Sequence, residues 1–449
     1  MNKIEKQVLK KITPTLKYKK NIKKIIKEIN EKLNAEIKKR RLPVTVELVG
    51  SIAKDTYLKN DLDIDFFIKF PRKYSKEEIG KKALSIGRKI LKNTEESYAE
   101  HPYIRGYYKK YKVEIVPCYK IEKSSQKLSA VDRTPLHTRF IKKYLKNPQK
   151  SQVRLLKQFL KGIGCYGAEA EIEGFSGYLT EIIILKYGSF EKVIENVQKW
   201  KNGETLTLTH DNFSFFETPL IFIDPVDPKR NVASAVSKEK FDLFIKACKE
   251  YVKKPSINFF FPRKTEPWSL KKIKEEIDKQ KCKYVGLKFL KPKIISENLY
   301  PQVRKAVKSI KKLCEKYDFK ILDTRYHINN KIYIIIKTEI DKLPNTKKHV
   351  GPPASLKENV DDFIKKWDNN PKVIKKPYEK NGRFFVEVKR SYTDVKDLLE
   401  NEIKNLSLGK QLDHVIKQNY TILETHGLIN DDLRMFWTEY LDNKMPWER

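Results

Sequence analysis

Two short segments near the start of the chain carry the residues best suited to chemistry. Gly50-Ser51 is followed, after eleven residues, by Asp63-Ile64-Asp65 and an apolar run. Alternate residues of a strand point to the same side, so Asp63 and Asp65 would present two carboxylates together. Adjacent carboxylates repel unless a cation lies between them, and Mg²⁺ prefers oxygen ligands together with substrate phosphates. A glycine–serine turn at a helix start can also hold phosphate through backbone N–H groups.

A third carboxylate extends this pattern. Glu114 is a lone acidic residue in an apolar segment that ends at Pro117. If that strand neighbours the one with Asp63 and Asp65, three carboxylates could hold two metal ions roughly 3.5–4 Å apart, as an in-line displacement requires. The ordinary alternatives are an acidic edge strand after a loop for the two aspartates, and a solvent-facing side chain for Glu114.

Several segments resemble a known family. The spacing from Gly50-Ser51 to Asp63-Ile64-Asp65 is similar to that of the nucleotidyltransferase superfamily, which includes DNA polymerase β and poly(A) polymerases. Over nearly the whole chain, further motifs resemble the archaeal-type (class I) CCA-adding enzymes, which are tRNA nucleotidyltransferases. These motifs are AEHPY at 99–103, VPCY at 116–119, SAVDRTP at 129–135, VRLLK at 153–157, YGAE at 166–169, GFSGY at 174–178, DPVD at 224–227, KRNVA at 229–233, NLYPQ at 298–302 and GP at 351–352.

The resemblance implies roles for the matched positions. The catalytic and metal-binding carboxylates would be Asp63, Asp65 and Glu114. The residues that contact the incoming nucleotide would be Gly50, Ser51, Lys54, His137, Lys157, Tyr166, Arg230 and Asn231. Within that set, Ser51 and Lys54 would contact the triphosphate, and Arg230, with Asn231, would read the base. Glu114 stands where the family more often has Asp, and Lys54 stands where Arg is also found, which replaces a bidentate fork by a point charge.

Each single residue also has an ordinary interpretation. His137 could simply start a helix, Lys157 could be a solvated lysine on an amphipathic helix, and Tyr166 could be a turn aromatic. Arg230, next to a proline, could cap a helix. His101 is predicted to be structural. The ordered match to one family favours the functional interpretation for the first four.

The resemblance implies template-independent addition of C, C and A to the 3′ end of tRNA, using CTP and ATP and releasing pyrophosphate. Two Mg²⁺ ions would serve the reaction, with Asp63 and Asp65 bridging them and Glu114 on the hydroxyl side. Two alternatives stay open. One is a poly(A) polymerase-like RNA nucleotidyltransferase, and the other is a non-catalytic RNA-binding protein with a degenerate nucleotidyltransferase head.

The charge balance indicates a polyanionic partner. The chain has 449 residues, with 95 Lys and Arg against 58 Asp and Glu, which gives a net charge of +37. A heat-adapted surface is the other explanation, but it predicts abundant acidic residues as well. The family implies that the partner is tRNA, gripped at its acceptor stem and elbow, with the segment 347–349 and the helix 356–367 contributing. It also implies that a homodimer is possible.

The cysteines and the apolar runs bear on location. Five widely spaced cysteines without a C-x-x-C pattern favour neither disulfides nor a zinc site. The first residues lack the apolar core of a signal peptide, and the most apolar runs are too short to span a membrane. We therefore expect a soluble cytoplasmic protein with no membrane partner.

The helices and strands that would position these residues are predicted from the spacing of apolar residues and from residues that start or end such elements. Thr13-Pro14 predicts a helix start, strands are predicted over 44–49, 62–70 and 111–116, and a helix over 76–92. Further helices are predicted around 153–160, 174–187, 238–252, 303–317, 356–367 and 395–416, and further strands over 283–289, 331–337 and 383–388. Residues 344–353 are predicted to be a loop.

These elements predict an α+β multidomain protein. Residues 1–150 would form a polymerase β-like nucleotidyltransferase head, and residues 151–258 a helical neck that recognises the nucleotide. Residues 259–449 would form an α+β body with a C-terminal tail that binds tRNA.

Overall fold

The computed structural model describes residues 1–59, 61–98, 101–209 and 216–449. Their contacts divide the chain into two compact units, Met1–Lys264 with Lys444–Arg449, and Thr265–Asn443. The finer division at residues 150 and 258 stays a prediction. In the AEHPY motif, Ala99 and Glu100 lie outside the described residues.

The first part of unit 1 is built on a five-stranded sheet. Its elements are α1 (Lys3–Ile12), α2 (Leu16–Lys39), β1 (Thr45–Val49), α3 (Gly50–Lys54), β2 (Ile64–Phe70), α4 (Lys76–Ile90), β3 (Lys92–Tyr98), β4 (Pro102–Tyr108), β5 (Tyr111–Tyr119) and α5 (Arg133–Tyr144). The strand order is β1-β2-β5-β4-β3, and only the central pair β2 and β5 is parallel. The apolar stripe of α2 and the buried face of α4 pack in one core with β2 and β5.

The rest of unit 1 is mainly helical. It comprises α6 (Asn147–Gly162), α7 (Gly177–Tyr187), α8 (Phe190–Val197), β6 (Glu204–Leu206), β7 (Leu220–Asp224), β8 (Asp227–Asn231) and α9 (Lys238–Lys253). The three short strands form one sheet in the order β6-β7-β8. The helices enclose an aromatic-rich core around Phe159, Phe190 and Phe244, which Val8 and Ile12 of α1 also join.

Unit 2 contains two antiparallel sheets. Its elements are α10 (Leu270–Lys279), β9 (Lys283–Leu290), α11 (Ser296–Lys316), β10 (Ile321–Ile328), β11 (Lys331–Thr338), β12 (Thr346–Pro353), α12 (Lys357–Asp368), β13 (Val373–Lys380), β14 (Arg383–Lys389), α13 (Val395–Glu402), α14 (Lys410–Gln418), β15 (Thr421–Glu424) and α15 (Arg434–Leu441). The sheet orders are β10-β11-β9-β15 and β12-β14-β13. Helix α11 packs its apolar face in one core with β9 and β11.

The α+β class and most predicted elements are confirmed, but several boundaries were wrong. Thr13 ends α1, and α2 begins at Leu16, because the Thr15 hydroxyl accepts a hydrogen bond from the Tyr18 amide at 3.2 Å and caps that helix. The helix predicted from 303 begins at Ser296. The hairpin of β3 and β4 was not predicted.

Two proline-based predictions also failed. The strand β5 does not end at Pro117 but runs to Tyr119. Pairing of β5 with β4 stops at Ile115, before the proline is reached. Because Pro117 is not paired with β4, its missing N–H costs no hydrogen bond between these two strands. Residues 344–353 are not all loop, because β12 pairs with β14 from Thr346 onward. Among the described residues, no helix combines the length and apolar character needed to cross a membrane.

Candidate active site

The sheet brings the predicted carboxylates to adjacent positions. Asp65 of β2 is paired in register with Glu114 of the parallel strand β5 and with Val49 of β1 on its other side. Asp63 lies one residue before β2 begins, two positions ahead of Asp65. The prediction that β5 neighbours the Asp65 strand is therefore confirmed, and it places all three acidic residues at one end of the central strand pair.

These carboxylates crowd one another electrostatically. Burial of Asp65, together with the charges of Glu114 and Asp63, raises the pKa of the Asp65 carboxyl to about 8. The outer two acids have cationic neighbours: Lys112 Nζ lies 3.3 Å from an Asp63 oxygen, and Arg105 Nε donates to Glu114 at 2.7 Å. Asp65 is the member of the set that most needs an added positive charge.

The donor set fits a hard divalent cation. All three side chains offer carboxylate oxygens, and the burial of Asp65 beside the like charges of Glu114 and Asp63, which raises its pKa, favours a positive ion at this place. Within the described ranges, however, no three His, Cys, Asp or Glu side chains are already gathered closely enough to hold a metal ion. Binding would therefore require Asp63 and Glu114 to turn from Lys112 and Arg105 toward Asp65.

Gly50 determines how closely the β1–α3 turn approaches Asp65. Its φ of +72° lies in the left-handed region, and a Cβ added there would lie 2.0 Å from Asp65 Oδ2. A side chain at this position would thus collide with the carboxylate. Ser51 follows Gly50 directly in the single-turn helix α3.

A buried cluster of opposite charges lies beside α3. Glu181 of α7 is fully buried, and its carboxylate lies 2.5 Å from Lys54 Nζ and accepts from the Thr56 hydroxyl at 2.5 Å. Lys157 Nζ lies 3.6 Å from the same carboxylate and donates to the Thr56 carbonyl at 3.2 Å. Two lysines share one acid, so the cluster carries net positive charge without any ligand.

The pKa shifts follow from this burial. Removal from water opposes ionisation of Glu181, but the two ammonium groups outweigh it and lower the pKa of the carboxyl. Burial lowers the pKa of Lys157 to about 8 despite the attraction of Glu181. Tyr166, predicted as a further nucleotide contact, lies beside Lys157, since both side chains approach the space above Gly177. Burial raises the pKa of its hydroxyl.

A second buried acid binds two of the residues predicted to contact the nucleotide, His137 and Arg230. Asp224 ends β7 and is fully buried. One of its oxygens accepts from His137 Nε2 at 2.8 Å and from Arg230 Nη1 at 2.9 Å, and the other accepts from the Tyr178 hydroxyl at 3.2 Å. The Val226 amide donates to that second oxygen at 3.1 Å.

These donors decide the ionisation of the cluster. Burial disfavours charge on Asp224, but the hydrogen bond from His137 and the charge of Arg230 outweigh it and lower the pKa to about 2. Burial also lowers the pKa of His137, so its imidazole is neutral near pH 7. An ionised carboxylate only accepts, and His137 must therefore carry its proton on Nε2.

Asn231, which was predicted to read the base with Arg230, is held by hydrogen bonds within the protein. Its side-chain oxygen accepts from the amides of Phe222 and Ala233, at 2.9 and 2.8 Å, and its amide nitrogen donates to Thr218 and to the carbonyl of Leu220. Both ends of the buried amide are engaged by the β7–β8 hairpin. The side chain thereby fixes the hairpin that carries Asp224 and Arg230.

The structure therefore collects all the predicted site residues in unit 1 and adds three that were missed. Glu181, Asp224 and Tyr178 contact predicted nucleotide residues but were not singled out from the sequence. Two of them left a sequence signal. Glu181 is the only charged residue in the apolar stretch 179–185, and Asp224 follows the apolar strand residues 220–223, where a buried acid needs a partner.

Three family models match successive parts of the chain. The nucleotidyltransferase domain matches residues 17–137, and the tRNA nucleotidyltransferase second domain matches residues 151–261. The C-terminal domain of CCA-adding enzymes matches residues 281–425.

Three relatives that align with most of the chain are CCA-adding enzymes. The CCA-adding enzyme of Methanosarcina acetivorans is 35% identical over 446 residues, which cover 97% of each chain. That of Thermoplasma volcanium is 40% identical over 82% of this chain and 81% of its own, and that of Saccharolobus islandicus is 38% identical over 82% and 85%. The chain therefore belongs to the family of CCA-adding enzymes, the tRNA nucleotidyltransferases whose pattern its motifs resemble.

Proposed function

We propose that this protein adds C, C and A in sequence to the 3′ end of tRNA, in synthesis and repair, using CTP and ATP and releasing pyrophosphate. The observation that carries the proposal is the in-register pairing of Asp65 with Glu114 in a chain that aligns with a CCA-adding enzyme over 97% of its length. In this reaction the tRNA 3′-hydroxyl attacks the α-phosphorus of the nucleotide, so that a new P–O bond forms, the bond to the β-phosphate breaks and pyrophosphate leaves.

Asp63, Asp65 and Glu114 would hold two Mg²⁺ ions. When bound, such ions lower the pKa of the attacking hydroxyl and neutralise the leaving pyrophosphate. The protein's own part is to supply the carboxylates at one end of β2 and β5 and to keep the β1–α3 turn against them. Arg105 and Lys112 would exchange their carboxylate partners as the site loads.

The triphosphate would lie along the positive cluster beside α3. Lys54 and Lys157 supply two ammonium groups around one buried acid, and Ser51 with Gly50 offers a hydroxyl and a close backbone. Tyr166 adds a phenol whose raised pKa keeps it a donor at neutral pH. These groups bind phosphate without contacting the base, so they suit CTP and ATP equally.

The base would be read by Arg230 and His137, and both side chains are hydrogen-bonded to the Asp224 carboxylate. Arginine only donates hydrogen bonds, and so it matches the ring nitrogen acceptors of cytosine and adenine. A base with an N–H at that place would leave buried donors facing each other, which is the kind of mismatch that gives strong rejection. We assign Asn231 the supporting role of fixing this hairpin.

Unit 2 would bind the acceptor stem and elbow of the tRNA. In this unit, the edge strand β12 carries Lys347 and Lys348, and the adjoining helix α12 ends with Lys365 and Lys366. Lysines on an edge strand can follow an RNA backbone, which is recognised mainly through phosphates and 2′-hydroxyls. The proposal also includes that two copies of this chain can form a homodimer and that the protein is located in the cytoplasm.

The test uses the full chain, a tRNA that lacks its 3′ CCA, all four nucleotides and Mg²⁺. We expect three nucleotides to be added, in the order C, C, A, and synthesis then to stop. Tails longer than three would instead indicate a poly(A) polymerase-like enzyme. Binding of the tRNA without incorporation would indicate an RNA-binding protein, and Asp65→Asn serves as the catalytically inactive control.

A further inference from the structure

Asp224 joins Arg230, which is predicted to read the base, to two neighbouring aromatic side chains. It receives hydrogen bonds from three side chains on three different elements: His137 of α5, Tyr178 of α7 and Arg230 of β8. With the Val226 amide, four donors occupy the four lone-pair positions of one carboxylate. A fully buried acid that is saturated in this way has a fixed orientation, and so do the groups that bind it.

In the part of the chain that the structure describes, Arg230 is held at one end of its guanidinium group. Its Nη1 donates to Asp224, while the side chain remains 30% exposed, so the other N–H groups are available to a ligand. His137 is constrained from two sides, by the bond to Asp224 and by the Tyr178 ring, which stacks on it with a centroid separation of 3.9 Å. The same acid therefore fixes both the guanidinium and the imidazole.

We propose that Asp224 is the positioning residue that sets base selection, by holding Arg230 and His137 in the one arrangement that accepts cytosine and adenine. This inference rests on the proposed function. Arg230 then presents donors to the ring nitrogen acceptor that both accepted bases share. His137, with its proton fixed on Nε2, presents an Nδ1 acceptor that suits an exocyclic amino group. Uracil and guanine carry a ring N–H and a carbonyl in these places.

Asp224→Asn tests the assignment with little change in volume. One side of the amide would bear an NH₂ group, which would face either the two donors His137 and Arg230 or the donating amide of Val226. The first arrangement frees Arg230 and lets His137 change tautomer. We expect the preference for CTP over UTP, measured as the ratio of kcat/KM values on tRNA, to fall at least about tenfold, mainly through the nucleotide KM.

Asp227 provides a matched control in the same hairpin. It is 4% exposed and accepts from Lys127 at 2.5 Å and from Arg133 at 2.9 Å, but neither partner belongs to the predicted nucleotide set. Asp227→Asn should reduce stability in the same direction and leave the CTP to UTP ratio at its wild-type value. Equal loss of selectivity in both variants would overturn the inference, because general loosening of the hairpin would then explain it.

A double-mutant cycle separates positioning from direct contact with the base. If Asp224 acts through Arg230 and His137, Asp224→Asn should change the selectivity ratio little in a background that already carries Arg230→Ala and His137→Ala. Independent, additive losses would contradict the proposal. Tyr178→Phe, which removes one of the four donors and keeps the stacked ring, covers the case of an unfolded Asp224→Asn. It should shift selectivity in the same direction by about twofold, and unchanged selectivity would overturn the inference.

The proposed function and this inference fail in different ways. A wild-type protein that adds no cytidine or adenosine to tRNA would refute the function itself. A wild-type protein that adds CCA while Asp224→Asn keeps full selectivity against UTP would refute only the role given to Asp224.

Discussion

The acidic residues of unit 1 fall into two groups with opposite electrostatics. Asp65 lies beside Glu114 and Asp63, and burial among these like charges raises its pKa to about 8. Asp224 is fully buried, yet its pKa is lowered to about 2 because the contacts with His137 and Arg230 outweigh burial. Glu181, equally buried, is also held ionised, by Lys54 and Lys157.

The difference shows which charges the chain neutralises itself and which it leaves for a ligand. Around Asp224 and Glu181 the protein supplies every counter-charge from its own side chains. Around Asp65 the described residues form no ion pair with the carboxylate, and the neighbouring cations Lys112 and Arg105 are bound to the other two acids. We call Asp63, Asp65 and Glu114 the crowded group, and Asp224 and Glu181 the saturated acids. The crowded group lowers the stability of the free protein, and a bound cation would raise it again. The saturated acids stabilise the fold whether or not a ligand is bound.

The largest expected effect is that of Asp65→Asn on catalysis. Removing this carboxylate should reduce nucleotide incorporation by about a thousandfold or more, because metal-assisted charge stabilisation is worth several kcal/mol. The fold should not suffer, since without metal the Asp65 carboxyl, with its pKa of about 8, is already largely uncharged at pH 7, as asparagine is. Single-turnover incorporation and urea unfolding without metal measure both quantities. Incorporation within tenfold of wild type, or a clear loss of stability, would contradict the description of this group as crowded and catalytic.

Glu181→Gln should have the opposite profile, with its main effect on stability. The substitution leaves two buried ammonium groups without their acid, and breaking a buried pair typically costs about 3–5 kcal/mol. Urea unfolding monitored by circular dichroism gives the change in unfolding free energy. The control is Glu28→Gln, at the surface, where Glu28 accepts from Lys109 at 2.8 Å and where the midpoint should stay close to wild type. Similar midpoints for the two variants would show that Glu181 does not hold the cluster together.

Sequence reasoning located the crowded group better than the saturated acids. Asp65 and Glu114 lie on strands whose alternation and apolar neighbours are local features, so their shared site followed from short motifs. The contacts of Glu181 and Asp224 join residues far apart in the chain: Lys54 and Glu181 are separated by 127 positions, and His137 and Asp224 by 87. No local pattern encodes such pairs, and a lone acid in an apolar stretch indicates only that some partner exists.

For the fold, too, elements with a strong local pattern were predicted and elements without one were missed. Amphipathic helices such as α4 and α9 matched their predicted ranges within one or two residues, because their periodicity is strong. Strand β12 was missed because its prolines and lysines are typical of loops, although an edge strand tolerates both. Asn231 was placed among nucleotide contacts by resemblance, whereas its four hydrogen bonds belong to the hairpin.

Gly50→Ala should perturb the crowded group through its backbone. The new Cβ would press on the Asp65 carboxylate, and displacement of a catalytic group by about 1 Å can cost on the order of 100-fold in rate. Gly188→Ala is the matched control: Gly188 also has a positive φ, of +89°, but no described atom lies within 4 Å of its added Cβ. Both variants should lose about 1–2 kcal/mol of stability, and only Gly50→Ala should lose activity. Equal activities would show that the turn does not set the position of Asp65.

The smallest effect concerns Lys157, whose ammonium is buried but not fully neutralised. Because burial lowers its pKa to about 8, Lys157 should lose its proton and its attraction for a triphosphate as the pH rises through that value. With Mg²⁺ saturating, kcat/KM for CTP should then fall by up to about tenfold per pH unit, since this ratio reports groups of the free enzyme. Lys157→Arg keeps its charge over this range, so its profile should lack the descending limb even if its overall rate is lower.

Stability should change in the other direction over the same range. The folded pKa of Lys157 lies below its value of 10.5 in an unfolded chain, so between about pH 8 and 10.5 the unfolded state binds the extra proton. The contribution of Lys157 to the unfolding free energy therefore rises with pH while nucleotide capture falls. The difference in unfolding free energy between wild type and Lys157→Met isolates this contribution from the other lysines. If neither quantity changed between about pH 8 and 10, Glu181 would be keeping Lys157 charged, and this cluster would be as saturated as the one around Asp224.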